Sequence, residues 1–165
     1  MSELSEQTAA SLLGYATAAD PAQPLLTWYD DGTGERVELS GLTLANWVSK
    51  TANLLVDGCG LGPFDEATVS LPPHWQTAAV LLGCWTAGLS VSPDGAVIFA
   101  ASPVESAATD RFLLGLAPMG LPIRGATPAG WLDYVAEVRG LLRGIFNKLG
   151  VDTRLQVARW FAVSK

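Results

Sequence analysis

One histidine, His74, and two cysteines, Cys59 and Cys84, are the first residues to weigh for chemistry. His74 stands near the start of the most apolar run of the chain, LPPHWQTAAVLLGCWTAGLSVSP, Leu71 to Pro93. No second titratable group lies close to it in sequence to complete a nucleophile pair or a metal set. The expectation is a residue at a helix start that satisfies local hydrogen bonds. The cysteines have no CxxC spacing and a single histidine to support them, so neither a zinc site nor a redox pair is indicated. They read as buried free thiols. The residues themselves therefore assign no catalytic, cofactor-binding or metal-binding position, and no cofactor is expected.

Two glycine clusters could suggest a phosphate cradle. Asp31-Gly32-Thr33-Gly34 sits between LLTWYD, Leu25 to Asp30, and RVEL, Arg36 to Leu39, and reads as the turn of a hairpin, since no helix carrying a lysine opens after it. Gly58, Gly60 and Gly62 follow a helical pattern instead of opening one, so their likeness to a dinucleotide fingerprint is superficial.

The elements that must position these residues follow from apolar periodicity. A first helix is expected over Leu4–Ala18, ending before Asp20-Pro21. LTLANWVSKTANLLVDG puts Leu44, Trp47, Val48, Ala52 and Leu55 on one helical face, with Trp47 as a core anchor and Gly58 to end the helix. ATVSL, 67–71, reads as a strand, followed by a helix from about His74 to Ala87 whose packing face is read as Ala78, Leu81, Leu82 and Trp85. LSVS, AVIFA and RFLLGL read as further strands. Thr127-Pro128 reads as the start of a helix carrying Trp131, Val135, Val138, Leu142, Ile145 and Leu149, and Thr153 with Gln156 as the capping box of a last short helix. Strands alternating with helices predict an α/β fold with a mostly parallel sheet.

The 165 residues fit one sizeable core, and 49% hydrophobic residues exclude a disordered chain. The acidic start argues against a secretory signal, and the run Ala78 to Val91, broken by Gly83, Thr86 and Gly88, is too short for the roughly 20 residues of a membrane span. No membrane association and a cytoplasmic location are expected. Through Val138 the balance of charge is −11; from Arg139 it is +5, with Arg139, Arg143, Lys148, Arg154, Arg159 and Lys165 against Asp152. This switch divides the chain into an α/β domain, 1–138, and a basic helical extension, 139–165. An acidic body is a poor partner for nucleic acid, and the basic end leaves that partner open.

LTLANWVSKTANLL, followed by ATVSLPPHWQTAAVLLGCWTAGLSVSP, resembles the opening blocks of the adenylate-forming synthetases, the acyl-CoA ligase and luciferase superfamily. With LLTWYDDGTGERVELS the resemblance covers about residues 5–93, and it extends in kind through VIFA, DRFLLGLAPMGLPIR and GWLDYVAEVR toward short bacterial relatives of these ligases. It implies the fold of their N-terminal subdomain. It also implies what an adenylating enzyme would carry: a Ser/Thr/Gly-rich loop ending in lysine, a ribose-binding aspartate and a catalytic lysine. The sequence offers no counterpart to these, and Lys50, Lys148 and Lys165 stand in helical or terminal contexts. Phe64 precedes Asp65 where the resemblance calls for glycine, which leaves the turn there open.

IFNKLGVDTRLQVARWF, Ile145 to Phe161, resembles the end of a LuxR-type helix-turn-helix, without the first helix that would fix it across a DNA backbone. The functional expectation is a non-catalytic ligase-like protein acting as a binding or interaction module, with a protein partner or a second copy. Two alternatives stand beside it: a fragment of an AMP-forming ligase completed by another chain, and a remnant of a LuxR-type regulator.

Overall fold

A computed structural model describes residues 9–140. Helix α1 spans Ala9–Ala19, so the expected start at Leu4 lies outside the described residues. Strands β1 (Pro24–Asp30) and β2 (Glu35–Ser40) form an antiparallel pair of their own. Helix α2 (Gly41–Asn53) follows at once, because the Ser40 hydroxyl accepts from Thr43 N at 3.2 Å and caps its first turn. A π-helical turn over Leu54–Gly58 extends it, closed by Cys59 N donating to Leu54 O.

The main sheet contains β3 (Glu66–Ser70), β4 (Ser90–Val91), β5 (Val97–Ala100), β6 (Asp110–Leu113) and β7 (Leu132–Asp133), in the order β4-β3-β5-β6-β7 and parallel throughout. The expected α/β class with a parallel sheet is what the chain adopts. After β4 the chain crosses β3 to reach β5 on its far side. Gly95 makes that crossing: a Cβ there would come within 2.6 Å of the Ala67–Thr68 backbone.

Helix α3 (Trp75–Thr86) lies over the sheet beside α2. Its buried face is Trp75, Gln76, Ala79, Val80, Gly83 and Cys84, which corrects the expected face of Ala78, Leu81, Leu82 and Trp85. Trp85 is 47% exposed. The physical reason is the α2–α3 crossing, where a Cβ on Gly83 would sit 2.5 Å from Thr51 Cβ. Only small residues allow helices to approach that closely, so the Ala79–Gly83 stripe faces inward and the indole of Trp85 is turned out. The expected α2 face holds, with Leu44, Val48, Ala52 and Leu55 buried and Trp47 partly buried.

The expected helix start at Thr127-Pro128 is also corrected. Trp131 precedes β7, and helix α4 runs over 134–140. Asp133 caps it, its Oδ1 accepting from Ala136 N at 3.1 Å. Thr127 instead donates its hydroxyl to Trp131 O at 2.7 Å, tying down the loop before the strand. A Thr-Pro pair signals a turn as well as a helix start, and here the hydrogen bonds made the turn. The main core joins α2, α3, the sheet and α4 around Leu55, Val80, Phe99, Phe112, Leu114 and Tyr134.

Candidate functional site

In a parallel sheet the groups that can meet a ligand gather at the carboxyl ends of the strands. Here that edge includes the turn from β3 into α3, Leu71 to His74, and the segment after β6. The hairpin β1–β2 is fastened beside it by Trp28, whose Nε1 donates to Pro73 O at 3.0 Å and whose ring meets His74 edge-on at 4.4 Å. Between hairpin and turn lies a cleft of about 360 Å³, lined by Trp28, Asp30, Asp31, Glu35, His74 and Leu116 among others. A larger hollow of about 640 Å³ lies by Thr68 and Asp94, but the Thr68 hydroxyl there is already committed, donating to Ser92 O at 3.0 Å and accepting from Gly95 N at 2.8 Å.

His74 is the N-cap of α3, and its Nδ1 accepts from Gln76 N at 3.1 Å. This is the helix-start role expected of it. Burial disfavours the imidazolium and lowers its pKa below the ordinary value, so the ring is neutral at pH 7 with its proton on Nε2. His74 Nε2 and both polar atoms of the Gln76 side chain are buried without a protein partner among the described residues. Gln76 is a site-adjacent residue that sequence reading passed over: a glutamine in the first turn of a helix ordinarily faces water.

The glycine turn at the cleft mouth is no cradle. Asp30 Oδ1 accepts from Gly32 N at 2.8 Å and from Thr33 N at 3.3 Å, which uses the amides an anion would need. These bonds lower the Asp30 pKa and keep it a carboxylate. Gly58 ends the π turn, and Gly60 and Gly62 lie between it and β3, at the opposite edge of the sheet. Gly60 takes a left-handed φ of 71°.

The two cysteines are unpaired, Cys84 buried and Cys59 partly so. Burial pushes both thiols up to about 12, and Asp110 beside Cys59 adds to the effect, so neither is a nucleophile near neutral pH. Lys50 lies in the last turn of α2, remote in the fold from the cleft turn. Lys148, Lys165 and the stretch resembling a LuxR-type helix-turn-helix lie outside the described residues. Phe64 resolves the open turn: it holds φ at 79° with its side chain 99% exposed, the left-handed geometry for which glycine is suited. Among the described residues, no helix is long and apolar enough to cross a membrane.

No protein-family model matches the chain. A TIGR03089 family protein of Mycobacterium tuberculosis is 46% identical over 134 residues, covering 73% of this chain and 55% of that protein. The mitochondrial acyl-coenzyme A synthetase ACSM2 of Rattus norvegicus is 37% identical over 68 residues, 40% of this chain and 12% of that protein. Among solved structures, the acetoacetyl-CoA synthetase from Streptomyces lividans superposes with a TM-score of 0.64 at 17% identity, covering 79% of this chain and 25% of that one. The chain thus spans about half the length of the mycobacterial relative and a quarter of the solved synthetase. Its α/β body has the fold of one part of the adenylate-forming ligases, and the resemblance in sequence to that superfamily is upheld.

Proposed function

We propose that this chain is a non-catalytic member of the adenylate-forming ligase fold, a module that binds instead of activating a carboxylate. One observation carries the reading. The cleft at the carboxyl edge of the sheet is framed by Asp30, Asp31 and Glu35 and closed by a neutral histidine. Adenylation gathers a polyanionic triphosphate and must neutralise the departing pyrophosphate. Carboxylates at the mouth repel that substrate. A cytoplasmic setting belongs to this reading and is supported by two thiols left unpaired in the fold. Thermal unfolding with millimolar ATP and magnesium is the test: no rise in melting temperature, and no pyrophosphate release with fatty or amino acids, are expected. Either signal would sink the reading, because ligand binding to the native state must stabilise it.

A second reading is favoured by length. A chain covering a quarter of a synthetase supplies one part of such an enzyme, which a separate chain could complete. Copurification from native cells, followed by mass spectrometry, separates the two: a ligase-like partner recovered in stoichiometric amount supports complementation, and adenylation activity of the recovered complex would establish it.

A further inference from the structure

Building on the reading of this chain as a binding module, we infer that the cleft between the hairpin and the turn into α3 takes a small organic ammonium ion. Its charge sits among Asp30, Asp31 and Glu35, and an oxygen of the same molecule meets His74.

The hairpin sets up the charge. Asp30 stands directly opposite Glu35 in the β1–β2 register. Residues so paired bring their Cβ atoms to about 5 Å, and like charges there destabilise a sheet. Asp31 adds a third carboxylate to the same cleft, and the bonds from Gly32 N and Thr33 N hold Asp30 ionised. The one cation of the hairpin is turned away. Arg36 lies opposite Tyr29, one step along from the Asp30–Glu35 pair, so strand alternation puts it on the other face. There it donates to Tyr29 Oη at 3.2 Å and pairs with Glu38 at 2.7 Å. Among the described residues no lysine or arginine lines the cleft. The repulsion weakens the free protein, and a bound cation removes it.

A metal ion does not fit the arrangement, because among the described residues no group of three or more His, Cys, Asp and Glu side chains is placed to hold one. The floor of the cleft asks for more than charge. His74 is 7% exposed, its Nδ1 accepts from Gln76 N, and the proton on Nε2 meets no acceptor among the described residues. A buried N–H left so costs free energy that a ligand oxygen restores. Beside it Trp28, held by its bond to Pro73 O, gives the cleft an apolar wall with Leu116. A lysine or arginine side chain of another protein would answer the carboxylates and leave His74 unanswered, since neither carries an acceptor. A small molecule with an ammonium at one end, an apolar body and an oxygen at the other answers all three. The cleft, about 360 Å³, lies at the small end of ligand pockets, which run from about 300 to 1,000 Å³.

Tyramine is the probe, an ammonium joined through a phenyl ring to a hydroxyl. Titrated into the isotope-labelled full chain at low salt, it should shift the Trp28 indole N–H and the Gly32 and Thr33 amide signals to saturation. It should bind about tenfold or more tighter than para-propylphenol, which puts a methyl in place of the ammonium, or para-hydroxyphenylpropanoate, which reverses the charge. Phenethylamine, lacking the oxygen, should bind several-fold weaker than tyramine, and added salt should weaken tyramine itself. D31N/E35Q leaves Asp30 to hold the turn; it should bind tyramine about tenfold more weakly while melting no lower than the parent, since it relieves the repulsion. No shift at these signals with millimolar tyramine would overturn the inference. So would either uncharged or anionic analogue, or phenethylamine, binding as tightly as tyramine, or D31N/E35Q binding it as tightly as the parent. Any of these leaves the non-catalytic reading standing while ATP with magnesium gives no stabilisation; a rise in melting temperature with ATP strikes that reading itself.

Discussion

Thr51 and Tyr134, 83 residues apart in sequence, join hydroxyls at 2.6 Å in the centre of the fold. Thr51 also reaches back to Trp47 O at 2.9 Å, and both residues are fully buried. Burial raises the Tyr134 pKa beyond the ordinary phenol range and keeps it a neutral donor. The pair connects α2 to the start of α4 across the position where Gly83 lets α3 pass. Thr51→Val and Tyr134→Phe should each lower stability by about 1–3 kcal/mol, and the double variant should lose about 0.5–2 kcal/mol less than their sum. Urea unfolding of the four proteins measures that coupling, and strict additivity would mean the bond contributes nothing.

Phe64 offers a test of backbone strain independent of what its ring touches. Phe64→Gly and Phe64→Ala both delete the ring and differ in the ease with which they hold φ near 79°. The glycine variant should be the more stable by about 1 kcal/mol. Thermal melts that placed alanine level with glycine would show the turn to relax without cost.

The two tryptophans of α3 should separate sharply. Trp75 is 2% exposed, and its Nε1 donates to Pro118 O at 3.0 Å, whereas Trp85 stands nearly half in solvent. Trp75→Ala should cost about 3–5 kcal/mol as a large core deletion. Trp85→Ala should cost about 1 kcal/mol or less, its burial against the body being slight. Denaturant midpoints that ranked the two the other way would return the helix to its sequence-expected face.

His74 should reveal itself in the pH dependence of stability. Its folded pKa lies below the unfolded value of 6.5, so the unfolded chain takes the proton first. Stability is then complete above about pH 6.5 and is lost as pH falls toward the folded pKa. His74→Asn, which retains a capping acceptor, should change stability little at pH 7.5 and remove this part of the decline; His74→Ala should cost roughly 1 kcal/mol at pH 7.5 and less at pH 5.5, where the parent has lost the histidine's share. Melting temperatures between pH 7.5 and 5.5 decide it, and an Asn variant as acid-sensitive as the parent would place the titration elsewhere.

Much of the fold could be read from local pattern because helices and strands impose their own periods. The hairpin around Asp31–Gly34, the face of α2 and the strands β3 and β5 follow from spacing and turn residues, and each is found within a residue or two of its expected bounds, whereas β7 lies where a helix was expected. His74 was identifiable as a helix start for the same reason, since a cap is a property of three or four neighbouring residues. The missing glycine at Phe64 was visible too, as a departure from the resemblance.

Tertiary structure decided what local pattern leaves degenerate. Helix α3 is apolar nearly all round, so Ala78-Leu81-Leu82-Trp85 and Trp75-Ala79-Val80-Gly83 fit a helical stripe equally well. Only the close approach to Thr51 selected the second. Thr127-Pro128 carries the same signal for a turn and a helix, and pairing of Leu132 with Phe112 settled where the chain could begin to coil. The cleft joins the hairpin to a turn more than forty residues away through the Trp28 bond to Pro73, and the buried amide of Gln76 depends on what the sheet places beneath it. These are relations between segments, set by packing and long-range hydrogen bonds, and no period within a single segment encodes them.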